Sequence, residues 1–121
     1  MAEHFLYLTT IGRTTGLERR IEIWFVEHAG SLYIVAEMGD RAGWVKNLMK
    51  QPRVTFSVGT RNEPGAGQAA TRATARVVRD DDDHELVSAV KALMDAKYGW
   101  SDGLLVELRK DLRRCSACAT H

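Results

Sequence analysis

Two strand-like runs, residues 5–10 and 21–28, are joined by Ile11-Gly12-Arg13-Thr14-Thr15-Gly16-Leu17-Glu18-Arg19-Arg20, a polar stretch bracketed by two glycines and closed by two arginines. Glycine admits positive φ and brings backbone N–H groups close to a ligand. Successive N–H groups in a turn form anion-binding nests. Arginine adds a planar fork of donors for phosphate or carboxylate, and the hydroxyls of Thr14 and Thr15 add more. From the residues alone, the stretch reads either as an anion cradle or as a polar hairpin loop with solvated arginines.

The rest of the chain narrows what such a loop can serve. With 121 residues it forms one domain, 1–121, large enough for a proper core. A formal net charge of +1 lacks the basic footprint of a general nucleic-acid binder. No apolar run approaches the roughly 20 residues of a transmembrane helix. Met1-Ala2-Glu3-His4 carries no basic n-region, so no signal peptide is expected and the cytoplasm is the default location. Cys115 and Cys118 form a Cys-x-x-Cys pair near the C-terminus. Zinc would need two more ligands, of which His121 offers one. A redox pair of this spacing normally opens a helix after a strand, whereas this one sits in a tail. His4, His28 and His84 are scattered, so no metal site is expected. Nucleophile-elbow, Walker and dinucleotide-binding motifs are missing from the sequence. If the chain is an enzyme, a bound cofactor carries the hard chemistry.

Residues 21–27 alternate, with Ile21, Ile23 and Phe25 on one face and Glu22, Trp24 and Val26 on the other. The second face is mixed, so it lines something other than bulk core. Ala29-Gly30 reads as a hairpin turn into a strand over 31–37. A short helix over 44–50 packs Trp44, Val45, Leu48 and Met49, and Gln51-Pro52 ends it. Strands follow over 53–58 and 69–78, separated by a loop over 60–68 rich in Gly, Asn and Pro. The run Asp80 to Asp83 reads as the capped start of a helix, since it lacks the spacing of a calcium loop. That helix reaches Tyr98, with Leu86, Val90, Leu93 and Met94 on one face, and Gly99 is its C-cap. Residues 104–108 are read as a last strand. About six strands in hairpin order, with no βαβ alternation, predict a mainly β, α+β domain built on an antiparallel sheet or barrel.

Several of these pieces, taken together, resemble the deazaflavin-dependent nitroreductase family, split β-barrel proteins related to the flavin-binding pyridoxamine-phosphate-oxidase-like proteins. The pieces are Leu8-Thr9-Thr10-Ile11-Gly12-Arg13, Gly16, Arg19-Arg20-Ile21-Glu22-Ile23-Trp24-Phe25-Val26, Trp44-Val45-Lys46-Asn47-Leu48, Gln51-Pro52-Arg53-Val54, Ala73-Thr74-Ala75-Arg76-Val77 and Lys97-Tyr98-Gly99-Trp100. The resemblance implies a six-stranded antiparallel split barrel that binds coenzyme F-420 and reduces a quinone, nitro compound or enone. It implies that Gly12, Arg13, Thr14, Thr15, Gly16 and Arg19, with Arg20 adjacent, grip the cofactor's phosphate and acidic tail. The ring would lie against Val35, Ala36, Glu37 and Met38, closed on one side by Trp44, with Trp24 in the acceptor pocket. Thr14 stands where the family commonly has lysine, Glu18 where it has proline, and Glu37-Met38 where it has a polar or basic pair. Glu37 is a proton-relay candidate, and Arg41 or Lys46 could pair it.

Two other readings share the barrel. Flavin mononucleotide would use the same loop for its phosphate, and a non-catalytic module would sequester a cofactor or tetrapyrrole. Split barrels also tend to pair through exposed sheet edges, so a homodimer is expected.

Overall fold

The computed structural model describes residues 5–59 and 70–111. Its elements run β1 (Phe5–Ile11), β2 (Glu18–Ile23), β3 (Val26–His28), β4 (Ser31–Ala36), a 3-10 turn (Gly39–Arg41), α1 (Gly43–Lys50), β5 (Arg53–Gly59), β6 (Thr71–Val78), α2 (His84–Tyr98) and β7 (Leu104–Lys110). All strand pairs are antiparallel, in the spatial order β2-β1-β5-β6-β7-β4-β3. The two edge strands are consecutive in the chain, separated only by Trp24 and Phe25. A link that short cannot bridge two distant edges, so the sheet curls until they meet at this corner. The result is the split barrel.

The strand count is seven rather than six because the alternating run over 21–28 breaks at that corner. Phe25 makes no ladder bond there, and the end of α2 satisfies its backbone instead. The Tyr98 hydroxyl accepts from Phe25 N at 3.3 Å and donates to Phe25 O at 3.0 Å. Lys97 Nζ adds a bond to the same carbonyl at 2.9 Å. Side-chain chemistry 73 positions away decides the break, so alternation alone reads through it.

Strand parity sorts the apolar residues into two cores. Leu6, Leu8, Leu32, Ile34, Val54, Phe56 and Leu108 fill the barrel with Leu48 of α1. Val35, Val78 and Leu105 face outward and are covered by Val87, Val90 and Met94 of α2. Burial of this kind contributes roughly 1.5–3 kcal/mol per large apolar side chain. Two expected core positions lie outside: Met49 and Leu93 are exposed, at 54% and 40%. Their places are taken by Asn47 in α1 and Val87 in α2. The aspartate run behaves as expected, with Asp83 as N-cap accepting from Leu86 N at 3.1 Å. Gly99 ends α2 in the left-handed region at φ 73°. The loop over 60–68, Cys115, Cys118, His4 and His121 fall outside the described residues. Among the described residues, no helix is long and apolar enough to cross a membrane, and no three ligating side chains cluster as a metal site.

Candidate functional site

The ends of β2 and β4, the start of α1 and the end of α2 converge on one cavity of about 670 Å³. That size falls within the roughly 300–1,000 Å³ of small-molecule sites. Val35 and Ala36 form its floor, Glu37 and Met38 its rim, and Trp44 one wall. Trp24 lines it from the β2–β3 corner and Trp100 from beyond α2. Trp24 is held flat on Tyr98, with ring centroids 4.4 Å apart and planes 3° apart, and meets Trp100 edge-on at 6.3 Å. The six residues expected around a planar ring and its acceptor thus share one cavity. Glu22 also lines it, and the sequence had marked that position only as part of a mixed strand face.

The glycine-bracketed loop lies beside this cavity rather than in its lining. It closes on itself through Gly12 N to Leu17 O at 2.7 Å and Gly16 N to Gly12 O at 2.9 Å. Gly16 takes φ 72°, which an L side chain resists, and a Cβ on Gly12 would stand 2.6 Å from Thr15 Oγ1. Leu17 N donates to Thr15 Oγ1, at 3.2 Å. The amide of Arg13 donates to Asn47 Oδ1, also at 3.2 Å. With three of its amides spent within the loop and a fourth on Asn47 of α1, the loop offers the Arg13 guanidinium rather than a run of backbone N–H groups.

That guanidinium is held without an anionic partner among the described residues. Its Nη1 donates to Asn47 Oδ1 at 2.9 Å and to Gly43 O at 3.3 Å, both uncharged acceptors. Gly43 opens α1, whose N-cap Ala42 supplies no side-chain bond to the first-turn N–H groups. A positive side chain therefore sits on the positive end of a helix dipole, an arrangement that favours an anion. Ala42 and Trp44, on either side of Gly43, line the cavity. The cation and the cavity consequently adjoin at one residue of the chain.

Asn47 is the residue the sequence did not single out. It is buried, and its Nδ2 donates to the equally buried Thr10 Oγ1 at 3.3 Å. A polar residue on the apolar stripe of α1 was the available signal. Strand pairing separates the two arginines: Arg19 pairs with Thr10, on the Asn47 side, while Arg20 pairs with Thr9 on the other. Arg20 stacks over the Tyr7 ring at 4.9 Å. Glu18 shares Arg20's face and lines a second cleft with Arg53 and Arg72. Its carboxylate therefore lies on the face of the sheet opposite Thr10 and Asn47. Glu37 is exposed at the cavity rim and makes no ion pair with Arg41 or Lys46.

Solved structures share this architecture. The heme storage protein HutZ from Vibrio cholerae is 24% identical, covering 88% of this chain and 81% of that one, at a TM-score of 0.67. An F420-H2 dependent reductase is 23% identical over 87% of this chain and 93% of its own, at a TM-score of 0.53. An F420 reductase is 16% identical over 88% and 86%, at 0.63. At these identities the likeness is one of fold. The family is carried by the sequence match, which spans residues 1–101 and so takes in the Arg13 loop, α1 and every strand that lines the cavity: the chain belongs to the F420H(2)-dependent quinone reductase family.

Proposed function

We propose that the protein is a deazaflavin-dependent oxidoreductase acting on a small organic acceptor such as a quinone, nitro compound or enone. One observation supports this above others: an aromatic-walled cavity ends at Gly43, whose carbonyl holds an arginine with no anionic partner among the described residues. A planar ring joined to an anionic tail needs both features within one molecule's reach. In this reading Val35, Ala36 and Trp44 hold the ring. Arg13, aimed by Asn47 and supported by the start of α1, holds the phosphate. Arg19, on the same side of the sheet, takes the acidic tail, and Trp24 borders the acceptor. When bound, the reduced coenzyme F-420 supplies a hydride. The protein's own residues orient the two reactants face to face and exclude water. No side chain has to act as acid or base from one fixed position, although Glu37 stands at the rim as a proton relay. We take the working unit to be a cytoplasmic homodimer.

The test is a fluorescence titration with oxidised coenzyme F-420, run beside flavin mononucleotide. Micromolar or tighter binding of the deazaflavin alone is the expected result. Tight binding of the flavin alone would keep the fold and replace the chemistry. Binding of neither would leave a non-catalytic module and end the reductase reading.

A further inference from the structure

Three of the chain's four methionines lie among the described residues, and two properties divide them. Met94 lines the cavity from α2 and is fully buried. Met49, on α1, is 54% exposed and lies outside the cavity lining. Met38 lines the cavity and is 56% exposed, so it alone of the three combines contact with the cavity and access to solvent. The backbone accounts for the combination. β4 ends at Ala36, and Met38 is already the N-cap of the 3-10 turn that follows, with its carbonyl accepting from Arg41 N at 3.3 Å. It therefore stands beyond the last ladder residue of β4, at the mouth of the cavity rather than in its floor. Four large apolar residues are exposed among the described residues, and Met38 is the one at the cavity. A solvent-facing thioether is open to oxidation, and its sulfoxide is polar and chiral.

We propose that Met38 is a reversible oxidation site whose state sets how well the cavity holds a planar ring. In the modification, the Met38 sulfur attacks the terminal oxygen of a hydroperoxide. An S–O bond forms as the O–O bond breaks, and the hydroxyl proton passes to the leaving oxygen. The sulfur is oxidised by two electrons, and the peroxide is reduced to water or an alcohol. The rim then presents a strong hydrogen-bond acceptor where it had an apolar side chain. A ring that packs on the rim has to strip water from that dipole, so it binds less well. Met94 faces the same cavity from within the core, and burial protects it. Methionine sulfoxide reductases reverse the change. The site rests on the cavity alone; that the ring belongs to a deazaflavin rests on the reductase reading.

Mild hydrogen peroxide treatment followed by peptide mass spectrometry tests the site. Met38 and Met49 should oxidise at least about tenfold faster than Met94. Two rings probe the cavity: acridine, by equilibrium dialysis in mildly alkaline buffer, and coenzyme F-420, by fluorescence titration. A saturating ring should slow oxidation of Met38 at least about threefold and leave Met49 unchanged. The oxidised protein should bind the ring about fivefold or more weakly, and sulfoxide reductase treatment should restore the affinity. Met38→Leu, compared with itself before and after peroxide, should change less than about twofold. Met49→Leu should lose affinity as the wild type does. Cys115 and Cys118 are present in every variant, so their oxidation cancels from the comparison. Met38 reacting no faster than Met94, or an affinity loss that persists in Met38→Leu, would overturn the proposal, as would binding of neither ring. Acridine binding that falls on oxidation, without coenzyme F-420 binding, would remove the reductase and keep the site. Coenzyme F-420 binding that is indifferent to oxidised Met38 would keep the reductase and remove the site.

Discussion

Asn47 Oδ1 accepts two hydrogen bonds from a single residue, Arg13, one from its backbone N–H at 3.2 Å and one from Nη1 at 2.9 Å. One buried amide oxygen thus fixes both the path of the loop and the direction of its guanidinium. Asn47→Asp should keep that geometry, because a carboxylate accepts from the same two donors and Thr10 can donate to it. It should also neutralise the guanidinium that an incoming anion needs. The expected outcome is near-normal stability with coenzyme F-420 affinity reduced at least about tenfold, or roughly 1.4 kcal/mol. Arg13→Ala should show the same loss of affinity. Unchanged affinity in either titration would remove the pair from the cofactor site.

Gly103 precedes β7 at φ 151°, and a Cβ there would lie 2.4 Å from Ala36 O and 2.7 Å from Val35 Cγ1. Those neighbours belong to β4 and form the cavity floor, and the closest atom is backbone that cannot swing aside. Gly103→Ala should destabilise the fold by about 3 kcal/mol or more and disturb the cavity as well. Gly30, at φ 86° with open space around it, is the control. Gly30→Ala should cost only about 1 kcal/mol from backbone strain. Equal urea midpoints for the two variants would show that the close approach is relieved cheaply.

Tyr98 serves two neighbours at once: its hydroxyl satisfies Phe25, and its ring carries Trp24. Tyr98→Phe removes the first role and keeps the second. It leaves Phe25 N without its acceptor, while Lys97 still serves Phe25 O. A loss of about 1–3 kcal/mol in chemical denaturation is expected, with cofactor affinity unchanged. Trp24→Ala should do the opposite, altering acceptor kinetics while cofactor binding is largely kept. Parallel loss of cofactor and acceptor binding would mean that Trp24 touches the cofactor itself.

What could be read from the sequence follows from the range of the forces involved. Residues 53–58 alternate because one face is in the barrel, so the inward set Val54, Phe56 and Val58 was legible at period two. Gly99 and Asp83 were legible because caps act within a turn of their own helix. The break at Trp24 and Phe25 was not legible, because Tyr98 and Lys97 cause it from the far end of the chain. Asn47 was missed for a related reason: a buried asparagine in an apolar stripe makes sense only once Thr10 and Arg13 stand beside it. Arg19 and Arg20 look equivalent in the chain, and only the register that pairs Thr10 with Arg19 shows that they face opposite ways. Of the cavity residues, those around Val35 to Met38 came with the family resemblance, whereas the place of Glu22 in the lining needed the folded neighbourhood.

Tyr33 and Glu107 face each other across β4 and β7, and the buried hydroxyl donates to Glu107 Oε2 at 2.9 Å. Burial, reinforced by the hydrogen bond to Glu107 and its negative charge, pushes the Tyr33 hydroxyl up to about 12 from an ordinary value near 10. Arg76 Nε holds the other carboxylate oxygen at 3.1 Å. A raised pKa means that the folded state keeps its proton after the unfolded chain has lost it. The stabilisation is complete below about pH 10 and is lost as pH rises toward about 12. A shift of about two units corresponds to roughly 2–3 kcal/mol over that window. Tyr33→Phe has no proton to lose, so the stability gap between wild type and variant should narrow by up to that amount. Urea titrations of both proteins at several pH values across the window measure the gap directly, and a constant gap would show that Tyr33 does not titrate in this range.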